Sequence, residues 1–199
     1  MGNETKIPTQ TVHKQYINSY NEQVSAVIED VWYGSAKKIT EDEAKKMLYG
    51  IQSFSGTASR RIRNAYGNPG ADKRDIERLH SVDRYIQASP KWKGKIYRGI
   101  NVTKEQAEKL LSGEPIDMLG PSSWSSDKET AERFSDGYKD IRMVFVLDDN
   151  KSGASITHIG TFNGSESEIT APSGIKYKFD GFKKVRKDNS DIIYVQVRE

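Results

Sequence analysis

The sequence predicts an α+β domain in which N-terminal helices pack on a mixed, two-sheet β-sandwich. Three observations predict it. Up to residue 90 apolar residues recur at helical spacing, and after Pro90 short strand-like runs take over. At 199 residues with 35% apolar content, the chain is long enough to bury one substantial core. Residues 1–90 would form the helical part and residues 91–199 the β-sandwich, together a single domain.

Residues 1–10 are polar, contain Pro8 and read as a loose lead-in. From Val12 to Trp32 the residues Ile17, Tyr20, Val24, Val27, Ile28 and Val31 mark a helix, with Gly34-Ser35 as its break. Thr40 followed by Glu43 is a capping box opening a second helix, Glu41 to about Ile51. Phe54-Ser55-Gly56-Thr57 reads as a loop, and Ala58 to Tyr66 as a short basic helix carrying Arg60, Arg61 and Arg63. Gly67-Asn68-Pro69-Gly70 is the strongest turn signal, and Asp72 to Ala88 forms the next helix. Lys95 to Ile100 reads as a strand, and Thr103 caps a short helix that stops before Gly113. Asp127 caps another helix ending near Phe134. Ile141–Leu147, Ser155–Ile159, Glu166–Ala171, Tyr177–Val185 and Ile192–Val197 complete the strands.

Composition excludes several classes. With no cysteine there is no disulfide, thiol nucleophile or thiolate metal site. His13, His80 and His158 are scattered without ligand spacing, so no metal is expected. No apolar run has the length of a membrane span, so no membrane partner is expected, and Met1 to Lys6 lacks the order of a signal peptide. The chain thus reads as cytoplasmic where it is made, with delivery into another cell left open. The net charge of +3 does not by itself call for nucleic acid. The basic run Lys176 to Lys187, interleaved with Tyr177, Phe179 and Phe182, reads first as an exposed sheet face.

The stretch that carries chemistry is Phe162-Asn163-Gly164-Ser165-Glu166-Ser167-Glu168-Ile169-Thr170. If it is extended from Glu166 onward, alternation puts both carboxylates on one face and Ser167 with Ile169 on the other. Paired carboxylates suit a reaction in which positive charge develops on a sugar carbon. An exposed strand edge with two solvated glutamates has the same pattern, so the rest of the chain decides.

Three features follow in order: Tyr97-Arg98-Gly99 on a strand, Ser123-Trp124-Ser125 before a helix, and Glu166-Ser167-Glu168. Together they resemble the arginine–serine–glutamate class of mono-ADP-ribosyltransferases, the clostridial-toxin-like and phage-type enzymes. Ser126 to Phe134 looks like the helix that the family places next. Phe54-Ser55-Gly56 with Ile62-Arg63-Asn64 is similar to its upstream loop and helix, so the resemblance spans roughly residues 40–198. Two positions depart from the pattern. Trp124 stands where the family has Thr, at a packing position. Arg63 stands where it has Asn, which leaves open the residue there that touches the nucleotide.

The resemblance implies the ADP-ribosyltransferase fold, NAD as the substrate and no metal. It places Arg98, Gly99, Ser123, Trp124, Ser125, Arg133 and Glu168 around NAD. Arg98 suits phosphate oxygens, Ser123 supports the catalytic glutamate, and Glu168 stabilises the oxocarbenium as nicotinamide leaves. Glu166 would face the acceptor, an arginine of a target protein, with Phe162 on the same loop. By helical spacing alone Phe134 reads as core and Arg133 as solvent-facing, and Phe162 reads equally as a loop-base core residue or an exposed contact. The role implied is that of a bacterial toxin or effector, or a phage enzyme altering host proteins, with an inhibitor or immunity protein as a further partner. The alternatives are an NAD glycohydrolase and a degenerate binding protein of the same fold.

Overall fold

The computed structural model describes residues 8–199, so the amino-terminal Met1–Lys6 reading lies outside the described residues. The elements run β1 (Thr9–Gln10), α1 (Tyr20–Ser35), α2 (Glu41–Ser55), α3 (Ser59–Asn64), α4 (Lys73–Ala88), β2 (Lys91–Trp92) and β3 (Ile96–Val102). They continue with α5 (Lys104–Leu110), β4 (Ile116–Asp117), β5 (Ser122–Ser125), α6 (Lys128–Phe134), β6 (Ile141–Leu147), β7 (Ala154–Ser155), β8 (Glu168–Ala171), β9 (Lys176–Lys187) and β10 (Ser190–Arg198). The order is the α+β arrangement that the periodicity predicts.

Local chemistry sets the helix ends. The Thr40 hydroxyl accepts from the Glu43 amide at 3.2 Å and the Glu43 carboxylate accepts from the Thr40 amide at 2.9 Å, which closes the capping box at α2. The first helix starts at Tyr20 rather than Val12, because Ser19 caps it. The residues before Ser19 form an extended arm, anchored where the Ile17 amide donates to the His158 carbonyl at 3.0 Å. Gly34 lies inside the last turn of α1 and does not break it. A Cβ there would come within 2.1 Å of the Ala88 carbonyl, so glycine lets α1 press against the end of α4. Phe54 and Ser55 extend α2 and are not loop residues.

Apart from the pair β1–β2, the strands join in one order, β4-β9-β10-β6-β3-β5-β8-β7, mixed because β6 and β10 run parallel. The link between β3 and β5 is a single paired position, Tyr97 with Ser125. At that seam the sheet divides into a five-strand and a three-strand part. The two parts fold over each other: Trp124 of β5 and Tyr177 of β9 are far apart in strand order, yet their ring centroids are 5.2 Å apart. The core they enclose includes Ile96, Phe145, Ile169 and Val195. A second core joins α1, α2, α3 and α4 to Ala154, Ile156 and Ile159. The strand expected over Ser155–Ile159 stops at Ser155, because the chain turns there and Ile156 and Ile159 point into that helical core.

Candidate active site

The seam brings the three motifs together. Arg98 on β3 donates from Nη1 to the Ser123 carbonyl on β5 at 2.5 Å. On the other side of β5 the ladder sets Ser125 opposite Glu168 and Ser123 opposite Thr170. Alternation then gives Ser123, Ser125 and Glu168 one face, while Trp124 and Ile169 turn to the other and enter the core. Trp124 is 2% exposed, and its indole N–H donates to the Ser122 hydroxyl at 3.0 Å, so a bulky residue is accommodated between the two serines.

Glu166 reaches the site by another route. The strand begins at Glu168, and Ser167 has φ +47°, so the extended alternation expected from Glu166 does not exist. A left-handed residue between the two glutamates turns the chain, a conformation that a non-glycine residue adopts only when its surroundings hold it. Here the Ser125 hydroxyl donates to the Glu166 carbonyl at 2.7 Å and the Ser126 amide donates to the Ser167 carbonyl at 3.2 Å. Both glutamates nonetheless line one cavity of about 330 Å³ with Tyr97, Arg98, Gly99, Ser123, Trp124, Ser125, Phe134 and Phe162.

Gly99 lies where α6 meets β3. A Cβ at that position would lie 1.7 Å from the Ala131 carbonyl, so the missing side chain admits the helix backbone. With Ala131 planted on the strand, Phe134 three residues later runs over the cavity and is 53% exposed, not in the core where spacing alone puts it. Phe162, 48% exposed, takes the open position of its two readings. Arg133 does not line this cavity and donates to the Thr130 hydroxyl at 2.8 Å, but its charge bears on Glu166.

The cavity continues into a second hollow that shares Phe54, Ser59, Arg98 and Ser123 and adds Arg60, Arg63, Asn64 and Lys139. Four cations and no carboxylate line it. Arg63 Nε is buried without a partner among the described residues. A half-buried guanidinium with an unpartnered Nε, beside a second guanidinium, suits a bound dianion. The signal for Arg63 was its i,i+3 spacing from Arg60 around buried Ile62. Arg61 faces elsewhere, toward Asp75 at 3.4 Å.

The electrostatics follow from burial. Glu168 is pushed up from 4.5 to about 7 by burial first; Glu166 adds to the shift, and the Ser123 hydroxyl and Arg98 oppose it. Burial also raises Glu166, with Arg133 opposing. Burial and the neighbouring Arg63 charge lower Arg98 to about 9, which still leaves it charged at neutral pH. No cluster of metal-ligating side chains occurs among the described residues. No helix among them is long and apolar enough to cross a membrane.

A cleft of this kind, at the seam of a folded-over mixed sheet, defines the ADP-ribosyltransferase fold, and the chain has that fold. Among solved structures it is similar to the ADP-ribosyltransferase Vis from Vibrio splendidus in complex with agmatine. That match has a TM-score of 0.61 and 21% identity over 93% of this chain and 88% of that one. It is also similar to Plx2a, an ADP-ribosyltransferase toxin from Paenibacillus larvae, at TM-score 0.61 and 15% identity over 93% and 98% of the two chains. C3stau2 from S. aureus with NAD superposes at TM-score 0.57, with 17% identity over 96% of this chain and 98% of that one. No protein-family model and no curated protein matches the sequence.

Proposed function

We propose that the protein transfers ADP-ribose from NAD to the guanidinium of an arginine on a target protein. The observation that carries this reading is Glu168, buried in the ladder beside the Ser123 and Arg98 positions and facing the cavity. NAD enters with its diphosphate toward Arg98 and Arg63, the two guanidiniums at the shared wall of the hollows. The C1′–N bond to nicotinamide breaks, nicotinamide leaves with the electron pair, and ionised Glu168 stabilises the oxocarbenium. A guanidinium nitrogen then bonds to C1′ and its proton passes to Glu166 or to water. Phe162 and Phe134, exposed at the mouth, supply apolar contact for the target and for nicotinamide. The complex of Vis with agmatine, itself a guanidinium compound, and that of C3stau2 with NAD support the acceptor and the donor chosen here.

The test is nicotinamide release from NAD by the purified protein, with and without agmatine. The expected result is release that agmatine stimulates, together with an ADP-ribosyl-agmatine product seen by mass spectrometry. Release that agmatine leaves unchanged, with free ADP-ribose as the product, would assign NAD hydrolysis instead.

A further inference from the structure

His13 lies on the extended arm, far from the motifs in sequence, yet it reaches the back of the glutamate turn. Its Nε2 is 2.7 Å from the Ser126 hydroxyl, and its Nδ1 is 2.8 Å from the Ser155 hydroxyl and 3.0 Å from that of Thr157. The ring stacks on Trp92 with centroids 4.2 Å apart and planes 17° apart. Two of the three hydroxyl partners, Ser126 and Thr157, belong to residues that also hold the turn. The Ser126 amide donates to the Ser167 carbonyl at 3.2 Å, and the Thr157 hydroxyl donates to the Glu168 carbonyl at 3.4 Å. The Ile156 amide donates to that same Glu168 carbonyl at 3.1 Å. The arm is pinned on both sides of His13: before it, Thr9 and Gln10 pair with Lys91 and Trp92, and after it Lys14 and Ile17 are held. Lys14 Nζ lies 2.5 Å from buried Asp30, which also accepts from Tyr85 at 2.8 Å and binds His158 at 2.7 Å. The Ile17 amide meets the His158 carbonyl.

We propose that His13 is a positioning residue: it clasps Ser126 to Ser155 and Thr157 and so holds the left-handed Ser167 turn that sets Glu166 against Glu168. A neutral imidazole donates from one nitrogen and accepts at the other, so it joins the Ser126 hydroxyl on one side to the Ser155 and Thr157 hydroxyls on the other. The turn it braces is strained at Ser167 and relaxes when its supports go. His13 does not touch the cavity, so its loss leaves the arginine end of the site in place. The proposal rests on the ADP-ribosyl-transfer reading for its kinetic consequence, and on geometry alone for its structural one.

The experiment compares His13→Ala, His13→Gln and Ser126→Ala with the wild type by amide hydrogen exchange and by nicotinamide release. Ser126→Ala removes one hydroxyl and leaves the packing of the arm intact, so it decides the matter if His13→Ala folds poorly. Expected for His13→Ala and Ser126→Ala is faster exchange confined to residues 162–169. Their turnover should fall about tenfold or more while the KM for NAD changes less than about twofold. His13→Gln, which keeps a polar group within reach of Ser126, should recover part of the loss. Unchanged exchange over 162–169 overturns the proposal, as does a rise in KM with turnover intact. If the wild type releases no nicotinamide, the functional reading fails, and exchange alone still decides the role of His13.

Discussion

The backbone of Ala131 fills the space where Gly99 lacks a side chain: a Cβ at Gly99 would meet its carbonyl oxygen at 1.7 Å. Helix α6, and Phe134 with it, is therefore placed by the absence of one methyl group. Gly99→Ala should force α6 off the strand and cost about 1–3 kcal/mol of stability. The expected outcome is a lowered Tm together with weakened NAD binding in a calorimeter. A variant with an unchanged Tm would mean that the helix is not seated as described.

Glu168→Gln should lower nicotinamide release by about two to three orders of magnitude, because the charge facing the oxocarbenium is gone. The same change should stabilise the fold, and more so at higher pH. In the folded protein this carboxyl titrates near 7, above its ordinary 4.5. Its contribution to stability is therefore present below 4.5 and is lost as pH rises through 7. Glutamine has no proton to lose, so its advantage grows from pH 5 to pH 8, on the order of 3 kcal/mol at most. Urea unfolding of both proteins at the two pH values measures it; an advantage that shrinks with pH would contradict the buried-carboxylate account.

On the proposed ADP-ribosyl-transfer reading, catalysis needs the ionised form of this group. For the wild type, kcat/KM for nicotinamide release should rise with pH and level off above an inflection near 7 in the free protein. Pre-steady-state or initial-rate assays across pH 5–9 would show it. A flat profile over that range would mean that another group carries the charge.

Glu166→Gln should lose agmatine labelling while retaining much of the hydrolysis. Glutamine keeps the volume and hydrogen bonding but removes the charge that orients and deprotonates a guanidinium, a group that releases protons very reluctantly. Parallel assays of nicotinamide release and agmatine labelling decide it, and equal loss of both would refute a division of labour between the glutamates.

Arg63→Ala should weaken NAD binding by about ten- to a hundredfold, the range for a charge-assisted contact, with little change in turnover at saturation. The fold should persist, since Arg63 Nε has no protein partner to lose among the described residues. Titration calorimetry with NAD, alongside a thermal melt, separates the two effects.

Much of the architecture was legible in the chain because local signals and global packing agree. Thr40 with Glu43, Thr103 with Gln106, and Asp127 with Thr130 cap their helices as short-range chemistry dictates. Arg98, Ser123 and Glu168 meet because strand alternation carries them there. Glu166 was misread for the opposite reason. One left-handed serine interrupts the period, and nothing in the letters Ser-Glu-Ser-Glu marks which serine it is. The arm from residue 12 to 19 reads as helix by its letters because apolar spacing is blind to tertiary docking, here the reach of His13 to Ser155. Phe134 left the core because of a glycine thirty-five residues earlier, a contact that no window of sequence contains.

The two glutamates are mounted on different supports. Glu168 is a rung of the ladder, paired opposite Ser125 and unable to shift without unzipping β5 from β8. Glu166 hangs from a turn, tied by its carbonyl to a single serine hydroxyl. A change to the rung puts the whole edge of the sheet at risk, whereas the turn can be lengthened, shortened or respelled while the rung stays put. A scaffold built this way keeps one carboxylate fixed and leaves the other free to diversify.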